Sequence, residues 1–317
     1  MRLKSALRRG VAAAVIAGIV VSSGIPAYAI PWNIADGDIT VKAGDEGTNR
    51  VTQGEKEDVE DTDTVITGES DKNTVTIDTS EGNVDVTFDD LKIDVSGKKE
   101  GDGNDDSPID KSNAAVTVQG SGDATIELDG DNKLKSGSGN AGLEKNKHES
   151  KGTLTIKDDK GKDGSLTAEG GDDGAGIGGG IGSTGSSITI RGGAVEAVGG
   201  SNAAGIGDGA GPWSEPDPDT PPSNPNNIII CGDAEVTAKA GSQTTDAKAP
   251  AIGGKYGEVP TENLSDDEHK VTGGRLTRLN ADGTVMEGMG YDYTSTPKPQ
   301  PDDDEDDDDD DVPPPAQ

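Results

Sequence analysis

The chain has 317 residues, 61 acidic against 28 basic, for a formal net charge of −33, and only 29% of it is apolar and 2% aromatic. That acidity excludes direct association with nucleic acid or anionic membranes, which relies on cationic side chains. The single cysteine, Cys231, excludes an internal disulfide framework.

The chain opens with a basic run, "MRLKSALRRG", an apolar run, "VAAAVIAGIV", and "AYA" at 27–29. This order predicts a secretory signal peptide over 1–29 and an exported, extracellular or cell-surface protein. The apolar run is too short to be read as a membrane span, so no transmembrane segment is expected in the mature chain.

With 48 glycines and few large apolar residues, the rest resembles a disordered composition. Internal repetition argues otherwise. Residues 30–72, with "DITV" at 38–41 and "DTVI" at 63–66, read as a cap or partial first coil. Over 73–280 three short elements recur in one order. The first is "TVTI" (74–77), "AVTV" (115–118), "TLTI" (153–156), "SITI" (187–190) and "NIII" (227–230). The second is "NVDV" (83–86), "DATI" (123–126), "SLTA" (165–168), "AVEA" (194–197) and "EVTA" (235–238). The third is one aliphatic residue among small ones, Ile109, Leu143, Ile177, Ile206 and Ile252, with glycines flanking it most clearly in "GAGIGGG" at 174–180. A sixth row begins at "KVTGGRLTR" (270–278), and Phe88, two positions beyond Val86, is expected in the core.

Period-2 alternation puts Leu154 and Ile156 on one face and Thr155 on the other. Two or three apolar side chains per strand cannot offset the entropy of ordering a unit of this size alone, so the units must stack into one interior. Three strands per repeat predict an all-β fold, a parallel β-helix (solenoid) of about six coils. Its glycines would turn the corners and its isoleucines would form an internal ladder. Loop insertions are expected near 98–107, 144–152 and 211–226. Residues 281–317 end in "DDDEDDDDDD" at 302–311, predicted to be a disordered acidic tail because its charges repel.

Catalytic constellations are missing. "GAGIGG" at 174–179 satisfies GxGxxG, but a strand follows it where a dinucleotide site needs a helix. His148 and His269 lie in polar segments, and Cys231 has no visible base. Acidic and amide residues instead recur before the third element. Asp102, Asn104, Asp105 and Asp106 precede Ile109; Asn140 precedes Leu143; Asp172 and Asp173 precede Ile177; Asn202 precedes Ile206; Asp246 precedes Ile252. Stacked coils would line these up at the ~4.8 Å strand spacing, where calcium could be shared between neighbours. The same residue types also favour turns for their own backbone hydrogen bonds. Aromatic platforms for sugars are sparse, with Trp213 and Tyr256 as the candidates.

The stretch 188–209, "ITIRGGAVEAVGGSNAAGIGDG", resembles bacterial surface proteins described as carbohydrate-binding-domain-containing proteins, and the likeness extends over roughly 71–278. That resemblance implies a right-handed, pectate-lyase-like β-helix. It also implies non-catalytic binding of plant cell-wall polysaccharide, including acidic pectin-type chains, with bound calcium. The expected function is therefore secreted, calcium-assisted polysaccharide binding. A stalk or adhesin without glycan specificity, or a pectate-lyase-like lyase, are the alternatives. Nothing in the pattern sets an oligomeric state.

Overall fold

The computed structural model describes residues 31–97, 113–161, 163–211, 227–242, 249–254, 257–258, 269–286 and 291–292. Among these residues the fold is all-β: short strands, two 3-10 turns (Ile34–Asp36 and Asp45–Gly47) and no α-helix. No helix among them is long and apolar enough to cross a membrane. Residues 1–30, where the signal peptide is expected, the acidic run at 302–311 and most of the proline-rich insertion lie outside the described residues.

Strands pair in parallel with their counterparts one repeat away, in three columns. In the first, Val84, Ala124, Leu154, Ile188, Ile228 and His269 are successive register partners, followed two residues on by Val86, Ile126, Ile156, Ile190, Ile230 and Val271. In the second, Ile93, Leu134, Ala168, Ala197, Ala238 and Arg278 stack. In the third, Ile39, Val75, Val116, Leu143, Ile177, Ile206 and Ile252 stack. The long Val84–Asp94 strand takes part in both of the first two columns, which makes them one sheet; the third column is a second sheet. The aliphatic members of these files belong to one continuous core and are buried, except Val271, which is partly buried against its upper end. Each fully buried aliphatic side chain contributes about 1.5–3 kcal/mol, which the entropy of ordering the row largely offsets. Hence the rows are stable together and not singly.

Phe88 is fully buried, between Ile66 and Leu128. Asn132 stands at an otherwise aliphatic position of the second column and is also buried. It is tolerated because its amide is fully used: Oδ1 accepts from the Leu91 N–H at 2.9 Å, and Nδ2 donates to the Asp129 and Ser165 carbonyls at 3.1 and 3.0 Å.

The columns correct the expected register in the lower rows. Val116, not Ile109, lies beneath Leu143, so the 115–118 strand belongs to the third column. Beneath Leu154 stand Ala124 and then Val84, so the 123–126 and 83–86 strands belong to the first column and not to the second. Ile109 itself lies outside the described residues. The physical reason is that alternation marks a strand without marking its column. Only the glycine corner identifies the third column, and below Leu143 that column is built from five-residue strands, Val75–Thr79 and Val116–Gly120.

From Leu143 upward the glycine corner is what fixes the register. Ile177, Ile206 and Ile252 are followed by Gly178, Gly207 and Gly253, which pair with one another and share φ values of +137°, +133° and +135°. Side chains rarely adopt that conformation, and a Cβ on Gly178 would run into the Gly207 carbonyl.

The antiparallel pairs sit toward the two ends. Below, Ile39–Ala43 pairs with Asn49–Gln53, which pairs with Lys56–Asp61. Above, Ile252–Gly254 is met by Gly257–Glu258, and Arg275–Leu279 by Tyr291–Asp292. Trp32 is buried at the lower end, where its indole Nε1 donates to Asp61 Oδ2 at 2.7 Å.

Candidate functional site

The turns preceding the third column do stack. Gly139 N–H donates to the Asp172 carbonyl at 2.6 Å, Asp173 N–H to the Ser201 carbonyl at 3.1 Å, and Asn202 N–H to the Ser242 carbonyl at 2.7 Å. Asp173 and Asn202 hold φ of +66° and +59°, a left-handed conformation that Asp and Asn tolerate better than most side chains. Their side chains meet, Asn202 Nδ2 to Asp173 Oδ1 at 3.4 Å, and the Ser201 hydroxyl lies 3.0 Å from Asp172 Oδ1. The structure thus brings Asp172, Asp173 and Asn202 onto one edge. Asn140 falls one position out of that file, in line with Gly174, and donates to its own turn at Ser138 O, 3.1 Å. Asp102, Asn104, Asp105, Asp106, Asp246, Trp213 and Tyr256 lie outside the described residues. Among the described residues no group of three or more His, Cys, Asp or Glu could hold a metal ion.

A second feature is a groove of about 580 Å³ across the lower rows of the second column. Alternation points Ile93 and Leu134 into the core, so their neighbours face outward. Glu69, Lys92, Lys133 and Thr167 are successive register partners, and Asp94, Lys135 and Glu169 form the adjoining file. Lys92 Nζ lies 3.1 Å from Glu69 Oε1, and Lys135 Nζ 3.2 Å from Glu169 Oε2. The hydrogen bond and charge of Glu69 raise the Lys92 pKa above the usual lysine value. The four side chains are between 43% and 71% exposed, so solvent screens both pairs and they can exchange partners at little cost. This groove was not anticipated from the sequence. Its one local signal is the alternation "DNKLK" at Asp131–Lys135, whose charged residues face one way.

Two other polar groups stand apart from these features. Cys231 is half-buried, and burial pushes its thiol pKa up, away from the reactive thiolate. Lys145 is buried, donating through Nζ to Ser186 O at 3.0 Å and Ser150 O at 3.4 Å, and burial lowers its pKa to about 8. Its neighbour Glu144 is buried as well; desolvation raises its pKa, while Oε2 accepts from the Ala141 N–H at 3.1 Å and Oε1 from Asn146 Nδ2 at 3.0 Å. His148 is exposed. After Gly179 the chain reaches the Ile188–Ile190 strand through a turn at 181–182 and an isolated bridge at Gly185, with no helix to receive a pyrophosphate.

No family model, curated protein or solved structure matches the chain.

Proposed function

We propose that the chain winds as a right-handed parallel β-helix of about six coils and, exported to the cell surface or beyond, binds polysaccharide without cleaving it. The observation that carries this reading is the groove over Glu69, Lys92, Lys133, Lys135 and Glu169, where cations and carboxylates stand side by side on parallel strands. Sugar hydroxyls both donate and accept, so a file of ammonium and carboxylate groups ~4.8 Å apart offers a partner at each step. The likeness of the 188–209 stretch to carbohydrate-binding surface proteins points the same way.

Calcium enters this reading as a bridge. The ion takes six to eight oxygens, and the described turns offer only the carboxylates of Asp172 and Asp173 beside Ser201 and Asn202. An acidic glycan would have to supply part of the shell. The test is affinity electrophoresis of the full chain through gels containing a panel of neutral and acidic polysaccharides, with and without chelator. The reading expects retardation by at least one glycan, partly lost in chelator for acidic ones. Unretarded migration through the whole panel overturns it. Ultraviolet-absorbing unsaturated ends released from polygalacturonate would instead establish a lyase.

A further inference from the structure

The groove's charges narrow the ligand. Lys92 and Lys133 are register partners on adjacent parallel strands, and like charges set directly opposite one another are destabilising. Lys92 is drawn away by Glu69 and Lys135 by Glu169. Lys133 is exposed and has no ion-pair or hydrogen-bond partner among the described residues. In a chain of net charge −33, an unpaired ammonium flanked by two others has no folding role that the surrounding contacts reveal. The rim is acidic: Glu69, Asp71, Asp94 and Glu169 all line the groove. A densely charged polyanion would press its carboxylates against these four. A wholly neutral chain would leave Lys133 unused.

We propose that this groove is a binding site for a sparsely carboxylated polysaccharide, with one carboxylate received by Lys133 between Lys92 and Lys135 and with uncharged sugars lying along the acidic rim. The inference rests on the polysaccharide-binding reading and adds to it a position and a charge density. The contact is direct, ammonium to carboxylate, so it does not depend on calcium. It weakens with salt, because an exposed charge pair is screened over about 8 Å at physiological ionic strength.

The experiment uses the full chain in chelator against galacturonan prepared at graded methyl esterification, from free acid to full ester. Retention should peak at intermediate esterification. Lys133→Gln should lower affinity for that sample about three- to tenfold and leave the full ester unaffected. Lys239→Gln, on the same sheet but outside the groove, should match the wild type throughout. Thermal midpoints of both variants check folding. Retention that rises steadily with charge, or a Lys133→Gln variant indistinguishable from wild type on every sample, overturns the carboxylate site while leaving polysaccharide binding intact. Retention by a neutral glycan but by no galacturonan does the same. Failure to bind any glycan removes both.

Discussion

The lower and upper rows build one arrangement from different materials. Below Leu143, the third column uses five-residue strands, and the core holds Trp32, Phe88, Leu91, Ile93 and Leu128. From Leu143 upward, the third column shrinks to the two-residue strands Leu143–Glu144, Ile177–Gly178 and Ile206–Gly207. One of the two inward positions of the second column there is taken by Ala168, Ala197 and Ala238, beside Leu166, Val195 and Val236 at the other. Both halves share the aliphatic core; the lower rows add aromatic volume to it, and the upper rows add close approach of backbones. Rows of either kind can therefore stack on one another, provided the strand spacing is kept.

The two halves should break differently. The largest effect is expected below: Phe88→Ala removes the ring packed between Ile66 and Leu128 and should cost about 3–5 kcal/mol by urea denaturation. Above, the sensitive change is an addition. Gly178→Ala forces a side chain into φ of +137° and against the Gly207 carbonyl, and a loss of about 2–4 kcal/mol is expected. Gly54→Ala sharpens the contrast: its φ of +59° is also left-handed, yet open space surrounds it, so about 1 kcal/mol should be lost. Equal losses for the two glycine changes would show that backbone approach is not what holds the upper rows.

The third test concerns the charge buried between the halves. Lys145 has a pKa of about 8 in the fold against 10.5 when unfolded. Between those values the unfolded chain holds more protons, so this group makes stability rise with pH from about 8 to about 10.5. Below 8 the penalty is constant. The rise is worth up to about 3 kcal/mol. Lys145→Met should lack it, read as stability of variant and wild type at successive pH values. Parallel curves over that window would mean that Lys145 is not desolvated.

What was legible in the sequence follows the same division. The all-β character, the stacking and the register of Leu143, Ile177, Ile206 and Ile252 could be read because glycine corners are chemically distinctive. The lower register slipped by a column because "AVTV" and "DATI" alternate alike on any face, and side-chain period 2 carries no column label. That slip also hid the groove. Glu69, Lys92, Lys133 and Glu169 come from four separate stretches, and they become neighbours only once Asp131–Lys135 is placed over the end of Val84–Asp94. The turn edge was partly legible: Asp172, Asp173 and Asn202 share it. Asn140 stands three residues before Leu143, where Asp173 and Asn202 stand four before Ile177 and Ile206, and that single residue puts it out of line.

The antiparallel strand Lys56–Asp61 at the lower end has a consequence for solution behaviour. A stack of parallel strands is its own template: the rung beneath Ile39–Ala43 could be filled by another copy of the molecule as readily as by its own chain. The rung is filled by Asn49–Gln53, antiparallel to the stack, and the edge beyond it ends on the exposed Lys56, Glu57 and Asp58, which denies a second molecule the apolar contact. A ladder that could otherwise template its own extension thus meets charged side chains at this edge.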